Sequence, residues 1–483
     1  MPCAISSIRA CAASDPPRFD PLKTVRIITP TGHLGTTPLE KASFERGCAA
    51  GPDFIVADSG SADIGPYPLG ADQPASAEVW QRHDIEAMLV AARRLGIPLI
   101  IGSASDTGTD RGVAQYVRLV REIAAEHRLE PFRLAAICSE IPVDEIRRRL
   151  KDGAAIRGLN GRPDCDAAVL DRTGRIVAVM GADPIRDALE AGAEVVIAGR
   201  SSDCALFAAP LLNAGQSMAD AFFCGKAMEC ASFCGEPFMG KETILGRVDG
   251  TGVYLTAMHP DQRCTPASVA SHAMYERLNP FREYVPGGYL DMTHCRYEQV
   301  EERTTRVTGQ TFVPSPTTWI KLEGSGKVAE RALFIVGIRD PYTIANLDRA
   351  IGWAKGKLTE RFGPIGQRYD VFYHVYGRNA VMGAMEPTPA RAPLEVGIVV
   401  EVVCDDAARA QSICHIAGKN LFYARLPDVK GTAGTAAIMS DEVLPARPAY
   451  EWTLNHVIEV ADPRELFRTR LETIGAGEPG ARR

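Results

Sequence analysis

Short apolar runs that break into a polar, glycine-bearing turn and then into a helical pattern recur through the first 215 residues. This alternation restricts the chain to very few folds. The runs are Val25–Pro30, Phe54–Ala57, Pro98–Gly102, Phe132–Cys138 and the Val195–Ala198 run that opens the stretch Val195–Leu212. They are apolar on both alternating faces, so they read as strands covered by helices on both sides, the habit of parallel sheets. Helical patterns follow near Pro38–Cys48, Ala77–Leu95, up to about His127, at Val143–Lys151 and at Asp183–Ala191. Ala167–Leu170 and Ile176–Met180 read as two further strands around the Asp171–Gly174 turn. Strand alternating with helix predicts an α/β fold, with a mostly parallel, doubly wound N-terminal domain over residues 25–215. Right-handed crossovers bring the carboxyl ends of such strands to one edge, where five polar loops are expected to converge on one cleft.

Beyond residue 215 the pattern changes. Ile244–Val248 and Val253–Ala257 flank Asp249-Gly250 as a hairpin. Thr304–Val313 and Thr317–Gly337 read as antiparallel strands, the second broken at Glu323-Gly324-Ser325-Gly326. Arg339–Leu358 and Asp406–Leu421 read as helices, and Val371–Tyr376, Val396–Cys404 and Trp452–Val460 as strands. Residues 216–350 and 351–465 are therefore expected as two α+β regions. Residues 1–24 are expected to be a disordered leader and 466–483 a frayed tail.

The balance of charge narrows the function classes. The chain has 483 residues with a net charge of −6 and no basic stripe, which argues against a nucleic-acid partner. It contains no run of eighteen apolar residues, so no membrane span is expected. Its 13 cysteines form no CxxC pair, as expected of reduced thiols in a cytoplasmic protein. No Walker A loop, no GxGxxG after the first strand and no GxSxG elbow occur, so NAD, ATP, flavin and serine-hydrolase chemistry are not expected.

The candidate site residues follow from strand-end position. Gly199-Arg200-Ser201-Ser202-Asp203 joins a buried strand to a helix, a turn that offers free N–H groups to an anion. Arg200 is expected to add a bidentate fork for a carboxylate, with Ser201 and Ser202 beside it and Asp203 as an acid–base group. A structural Arg–Asp brace is the alternative. The loop Asp58–Tyr67 brings Ser59 and Ser61 to the same edge, and Asp58 and Asp63 either hold Mg²⁺ or form an Asx-type turn. Ser103 opens a third loop whose Asp106 and Asp110 suit either a site or a helix cap. Glu140 is a general-base candidate or a solvated helix-start carboxylate. Arg263 is a cationic candidate beside Cys264 and Thr265. Cys224, Cys230 and Cys234 read as buried thiols, Lys226 and Glu229 as an i, i+3 pair, and His33 as a turn histidine. Lys419 and Asn420 are the candidates from the C-terminal region.

Several of these stretches, taken in order, resemble the acyclic terpene utilisation (AtuA-type) family. They are Asp58-Ser59-Gly60-Ser61-Ala62-Asp63-Ile64-Gly65-Pro66-Tyr67, Ile97–Ser103, Ile197–Asp203, Arg263-Cys264-Thr265-Pro266, Pro286-Gly287-Gly288 and Gly337-Ile338-Arg339-Asp340-Pro341. The resemblance runs from about residue 25 to 460. The chain departs from common family residues at Ala62 and Ser202, where Gly or Thr is frequent. The resemblance implies a neighbourhood of acyclic-terpene, organic-acid and acyl-CoA breakdown, and it carries over no catalytic residue.

Two functional expectations result. In the first, the chain is a hydratase- or lyase-type enzyme that moves a proton next to the carbonyl of a small acid or acyl-CoA, with Asp203, Asp58 and Glu140 as the acid–base groups. In the second, it is a non-catalytic binding or assembly subunit working with a partner enzyme. A homo-oligomer fits either.

Overall fold

Val195–Ala198 is apolar throughout because both of its faces are covered. Val195 and Ile197 pack with one core, Val196 and Ala198 with another, and all four are buried. The same alternation holds in Phe54–Asp58, where Ile55 and Ala57 face one core and Val56 the other. Burying each Val or Ile among them contributes about 1.5–3 kcal/mol. In the computed structural model, residues 24–30, 32–388, 392–428, 436–438 and 443–475 are described. They form two units, one of residues 1–324 with 453–483 and one of residues 325–452.

The first unit is α/β. Its ten-stranded sheet runs in the order Arg296–Glu301, Thr304–Thr308, Val253–Ala257, Ile244–Val248, Val25–Thr29, Phe54–Asp58, Leu99–Gly102, Val195–Ala198, Phe132–Cys138, Arg468–Ile474. The five strands from Val25–Thr29 to Phe132–Cys138 are mutually parallel, and antiparallel strands flank them on both sides. Helices Lys41–Ala49, Glu78–Leu95 and Asp110–Glu126 cover one face, burying Phe44, Met88, Tyr116 and Val120. Helices Asp183–Glu190, Asp203–Asn213 and Met218–Met228 cover the other, burying Ile185, Phe207, Phe222 and Phe223. The sheet is thus doubly wound, as the alternating sequence predicts.

Residues 325–452 repeat a different pattern. The strand Thr318–Ile338, which belongs to this unit from Ser325 onward, is followed by helix Leu347–Phe362, strands Tyr369–Tyr376 and Val396–Cys404, helix Ala407–Phe422, and short strands Ala437–Ile438 and Leu444–Pro445. Tyr369–Tyr376 pairs with Val396–Cys404, which pairs with Thr318–Ile338, which in turn takes the two short strands. This is the ferredoxin-like β-α-β-β-α-β arrangement. Phe334, Val336, Ile398 and Val400 meet Leu358, Ile413 and Ala417 in its core. Gly418 is required there, because a Cβ would come within 2.3 Å of the Phe334 ring.

Four sequence expectations are corrected. Ala167–Leu170 is helical (Ala167–Asp171), because Asp166 caps it by accepting from Val169 N at 2.9 Å. Thr318–Ile338 is not broken at Gly324. That glycine admits the Leu454 side chain, which an added Cβ would meet at 2.8 Å. The segment expected to fray contains Arg468–Ile474, paired residue by residue with Phe132–Cys138, and Ile474 is buried in the core. Finally, residues 215 and 350 each lie inside a unit rather than between units. Residues 1–23, most of the expected leader, and 476–483 lie outside the described residues.

Candidate active site

The chain leaves Leu99–Gly102 toward helices on one face of the sheet and leaves the neighbouring Val195–Ala198 toward helices on the other. That divergence marks a topological switch point, where ligands of open α/β sheets bind. Here the loops around it interlock. A Cβ on Gly60 would lie 2.4 Å from Asp106 O, one on Gly108 2.3 Å from Arg200 N, and one on Gly199 2.4 Å from Ser139 Oγ. Ser103, Ser105 and Asp106 all hold left-handed φ angles of 49°, 58° and 65°. Such conformations cost about 1–3 kcal/mol each and persist only where neighbours enforce them. Asp106 Oδ2 enforces this one by accepting from Ala75 N and Ser76 N at 2.8 and 2.9 Å. Ser139 Oγ ties the fourth loop in, donating to Gly108 O and accepting from Arg200 N.

Arg200 sits at the centre of this lock. Its Nε donates to Glu323 Oε2 at 2.8 Å and its second terminal nitrogen faces Glu323 Oε1 at 3.5 Å. The first terminal nitrogen donates to Gly60 O at 2.8 Å and Ser103 Oγ at 3.2 Å. The guanidinium is therefore engaged within the protein. Glu323 also accepts from Lys321 Nζ at 2.7 Å. Although burial raises the Glu323 carboxyl, the Arg200 and Lys321 cations prevail and hold it down to about 2. Glu323, with Asp203 and Asp58, keeps Arg200 charged against its own burial.

Asp58 and Asp203 flank this cation and behave in the opposite way. Burial is the main cause that lifts the Asp58 carboxyl well above the usual carboxylate range, with repulsion from Asp203 added. Burial likewise raises Asp203, opposed by Arg200, Lys321 and Lys226. Asp58 is only 3% exposed, whereas Asp203 lines a cleft and opens the helix Asp203–Asn213, whose N-terminal dipole favours a carboxylate. Asp58 is thus the more deeply buried of the two raised carboxyls, and Asp203 is the one that faces the cleft.

That cleft, of about 1060 Å³, has a charged floor and an apolar mouth. Arg200–Cys204, Lys226, Glu229, Lys321 and Glu323 form the floor, and Tyr284, Pro286, Tyr289, Pro314 and Trp319 are among the upper walls. Lys226 pairs with Glu229, and its Nζ lies 4.8 Å from the Tyr275 ring centroid. Arg277 pairs with Glu283 at 2.5 Å. Gly225 sets the approach of the two floor helices, since a Cβ there would fall 2.2 Å from Cys204 O.

Of the residues expected at the site, Arg200, Ser201, Ser202 and Asp203 line the cleft, and Asp58 and Ser103 stand directly behind them. Ser201 Oγ donates to Gly199 O. The rest are elsewhere. Ser59 is buried and shares a 2.5 Å hydrogen bond with the Tyr116 hydroxyl. Ser61 caps a short 3₁₀ turn by accepting from Asp63 N, and Asp63 is exposed whereas Asp58 is buried. Among the described residues, no group of three or more His, Cys, Asp or Glu is placed to hold a metal ion. Glu140 belongs to a peripheral network with Arg175 at 2.5 Å and Asp110 N at 3.2 Å, and Asp110 itself pairs with Arg468. Arg263 is largely exposed and reaches Glu236 at 3.7 Å in a separate hollow, while Thr265 caps helix Pro266–Met274 and Cys264 is buried. Cys224 and Cys234 are buried thiols pushed up, Cys224 to about 12. Cys230 is partly buried and sits close enough to feel Asp203 and Asp58. His33 is lowered, first by burial and then by Lys241, whose Nζ donates to its carbonyl at 3.3 Å. Lys419 and Asn420 belong to the second unit, where Asn420 Nδ2 reaches Ala354 O at 3.5 Å.

The cleft residues that strand-end reasoning missed are Lys321, Glu323, Arg277 and Glu283. They lie far along the chain from the loops they complete. No helix among the described residues is long and apolar enough to cross a membrane. Comparison with known proteins found no similar curated protein and no similar solved structure. A family model does match, over residues 25–450, and its description is acyclic terpene utilisation family protein AtuA. That span contains the interlocked loops, the Arg200–Glu323 pair and nearly all of the cleft, so the chain belongs to the acyclic terpene utilisation (AtuA) family.

Proposed function

We propose that the protein is an enzyme of organic-acid or acyl-CoA catabolism that transfers a proton next to a carbonyl, as a hydratase or lyase does. Membership of the AtuA family suggests a role in acyclic terpene utilisation, and this reading adds a reaction type. One observation carries it. Asp203 faces the cleft with its carboxyl raised by burial, beside a second raised carboxyl, Asp58, and within a fixed Arg200–Glu323–Lys321 network. A base with a raised pKa is matched to proton abstraction near neutral pH. The charged floor and apolar walls suit a molecule with a polar acyl end and an apolar body.

In this reading Asp203 removes the proton, Asp58 stays protonated behind it, and Arg200 holds the two carboxyls in place without leaving Glu323. The test is turnover of a panel of small carboxylic acids and acyl-CoA thioesters by the purified chain and by Asp203→Asn. The variant should lose about 10²–10⁴-fold in rate while its unfolding midpoint stays within a few degrees. Full activity in Asp203→Asn would remove the residue from the reaction.

A second reading, a non-catalytic subunit of a partner enzyme, is favoured by the exposed apolar side chains Val381, Met385 and Leu394 in the ferredoxin-like unit. Elution size alone and with the products of adjacent genes tests it. Turnover by the pure chain eliminates it.

A further inference from the structure

The floor of the cleft holds three cations with different commitments. All three guanidinium nitrogens of Arg200 face protein acceptors. Lys321 is bound to Glu323, the same carboxylate that holds Arg200. Lys226 differs. Among the described residues its ammonium has one hydrogen-bond partner, Glu229, and otherwise lies over the face of Tyr275. An ammonium carries three N–H donors, so donors remain for a ligand. Lys226 is 4% exposed, which makes each charge-assisted bond there stronger than at a surface.

Its placement beside Asp203 is built into the backbone. Gly225 packs against Cys204 O so closely that a Cβ would stand 2.2 Å from it. Lys226 is the next residue after that glycine, and Asp203 the one before that cysteine. Both side chains line the cleft. The Lys226 charge acts on Asp203 and also on Glu283, the acid on the opposite wall.

We propose that Lys226, and not Arg200, receives the carboxylate or thioester carbonyl oxygen of the substrate and stabilises its negative charge while Asp203 takes the neighbouring proton. This rests on the proton-transfer reading above. In that step the α C–H bond breaks and its proton passes to the Asp203 carboxylate. The freed electron pair forms the carbon–carbon double bond of an enolate. The carbonyl π pair moves to oxygen, facing the Lys226 ammonium. A pre-placed cation at the developing oxyanion is the arrangement that such a step requires.

The test uses hexanoate, a carboxylate with a short apolar chain, titrated calorimetrically into the full chain. The wild type should bind saturably. Lys226→Met with Glu229→Gln, which removes both partners and strands no buried charge, should bind roughly 10- to 100-fold more weakly. Lys226→Arg should restore most of the affinity. Asp203→Asn should bind more tightly than wild type, because a carboxylate beside Lys226 faces Asp203, and this variant keeps the floor helix intact. Unchanged affinity in the double variant, no effect of Asp203→Asn, or no saturable binding by the wild type would each overturn the inference. The two readings fail separately. Lys226-dependent binding without turnover of any acid or thioester leaves the oxygen seat standing and removes the reaction. Turnover that survives loss of Lys226 with unchanged kcat and KM removes the seat and leaves the reaction.

Discussion

Each unit of the molecule contains a glutamate clamped between an arginine and a second basic side chain, and the two clamps are nearly superimposable in chemistry. In the first unit Glu323 takes Arg200 at 2.8 Å and Lys321 at 2.7 Å. In the second, Glu401 takes Arg331 at 2.6 Å and His374 at 2.9 Å. Burial separates them. The Arg200 and Glu323 side chains are 7% and 5% exposed, those of Arg331 and Glu401 30% and 18%. Both carboxyls are lowered by their basic partners against the opposing effect of burial, Glu323 to about 2. An ion pair's geometry therefore says little about its worth. Desolvation makes the first clamp indispensable once formed, and solvent screening makes the second nearly optional.

The largest expected effect tests that contrast directly. Glu323→Gln strands the buried Arg200 charge and should cost about 3–5 kcal/mol of stability at pH 7, measured by denaturant unfolding. The pH dependence has a definite sign. A carboxyl whose folded pKa is depressed stabilises above its ordinary value of 4.5 and loses that stabilisation as pH falls through about 2. Wild type and variant should therefore converge in stability over that window. A loss below about 1 kcal/mol at pH 7, the range of exposed pairs, would erase the difference between the clamps.

Two smaller changes sharpen the picture of the floor. Gly225→Ala forces the Met218–Met228 helix away from Cys204 O and should cost about 1–3 kcal/mol by overpacking. It should also weaken hexanoate binding by displacing Lys226. Wild-type stability and affinity in this variant would mean that the close approach does not position the lysine. Asp58→Asn should act with the opposite sign. The folded pKa of Asp58 is raised, so its contribution is intact below about 3.9 and is lost as pH rises through the folded value. The asparagine variant should gain on wild type as unfolding is repeated from acid to neutral pH. A gap that does not change with pH would show that Asp58 titrates in the folded chain as it does in the unfolded one.

How much of this was legible in the sequence depends on the range over which each residue acts. The α/β unit is readable because the parallel strands are short apolar runs, four of the five ending at Gly, Ser or Asp, and Arg200 and Asp203 stand at such an end. Glu323 is not, because it reaches the site from a strand more than a hundred residues downstream, and Glu-Gly-Ser-Gly reads locally as a break. Gly324 is there for the Leu454 side chain, a contact that no local pattern reveals. Lys226 reads as half of an i, i+3 pair with Glu229. Its helix is buried from Ala221 to Met228, so it has no polar face to set an amphipathic period and expose the lysine as an exception. Glu140 and Arg263 had the right residue types, but their loops turn away from the cleft.

The smallest expected effect gives the comparison its firmest test. Glu401→Gln should change stability by about 0–1 kcal/mol at pH 7. Arg331 is partly exposed and retains a 3.2 Å bond to Arg447 O, so losing the carboxylate strands no buried charge. A double-mutant cycle removes the remaining ambiguity, because each single change also disturbs its surroundings. Coupling between Arg331→Met and Glu401→Gln should stay below about 1 kcal/mol, while the same cycle on Arg200 and Glu323 should exceed it several-fold. Raising the salt concentration should shrink the first coupling and leave the second almost unchanged, since screening reaches an exposed pair and not a buried one. Equal couplings, or equal salt sensitivity, would mean that burial is not what distinguishes the two glutamates. The interlocking of the loops around Arg200 would then have to come from their glycine contacts and from the Asp106 and Ser139 hydrogen bonds.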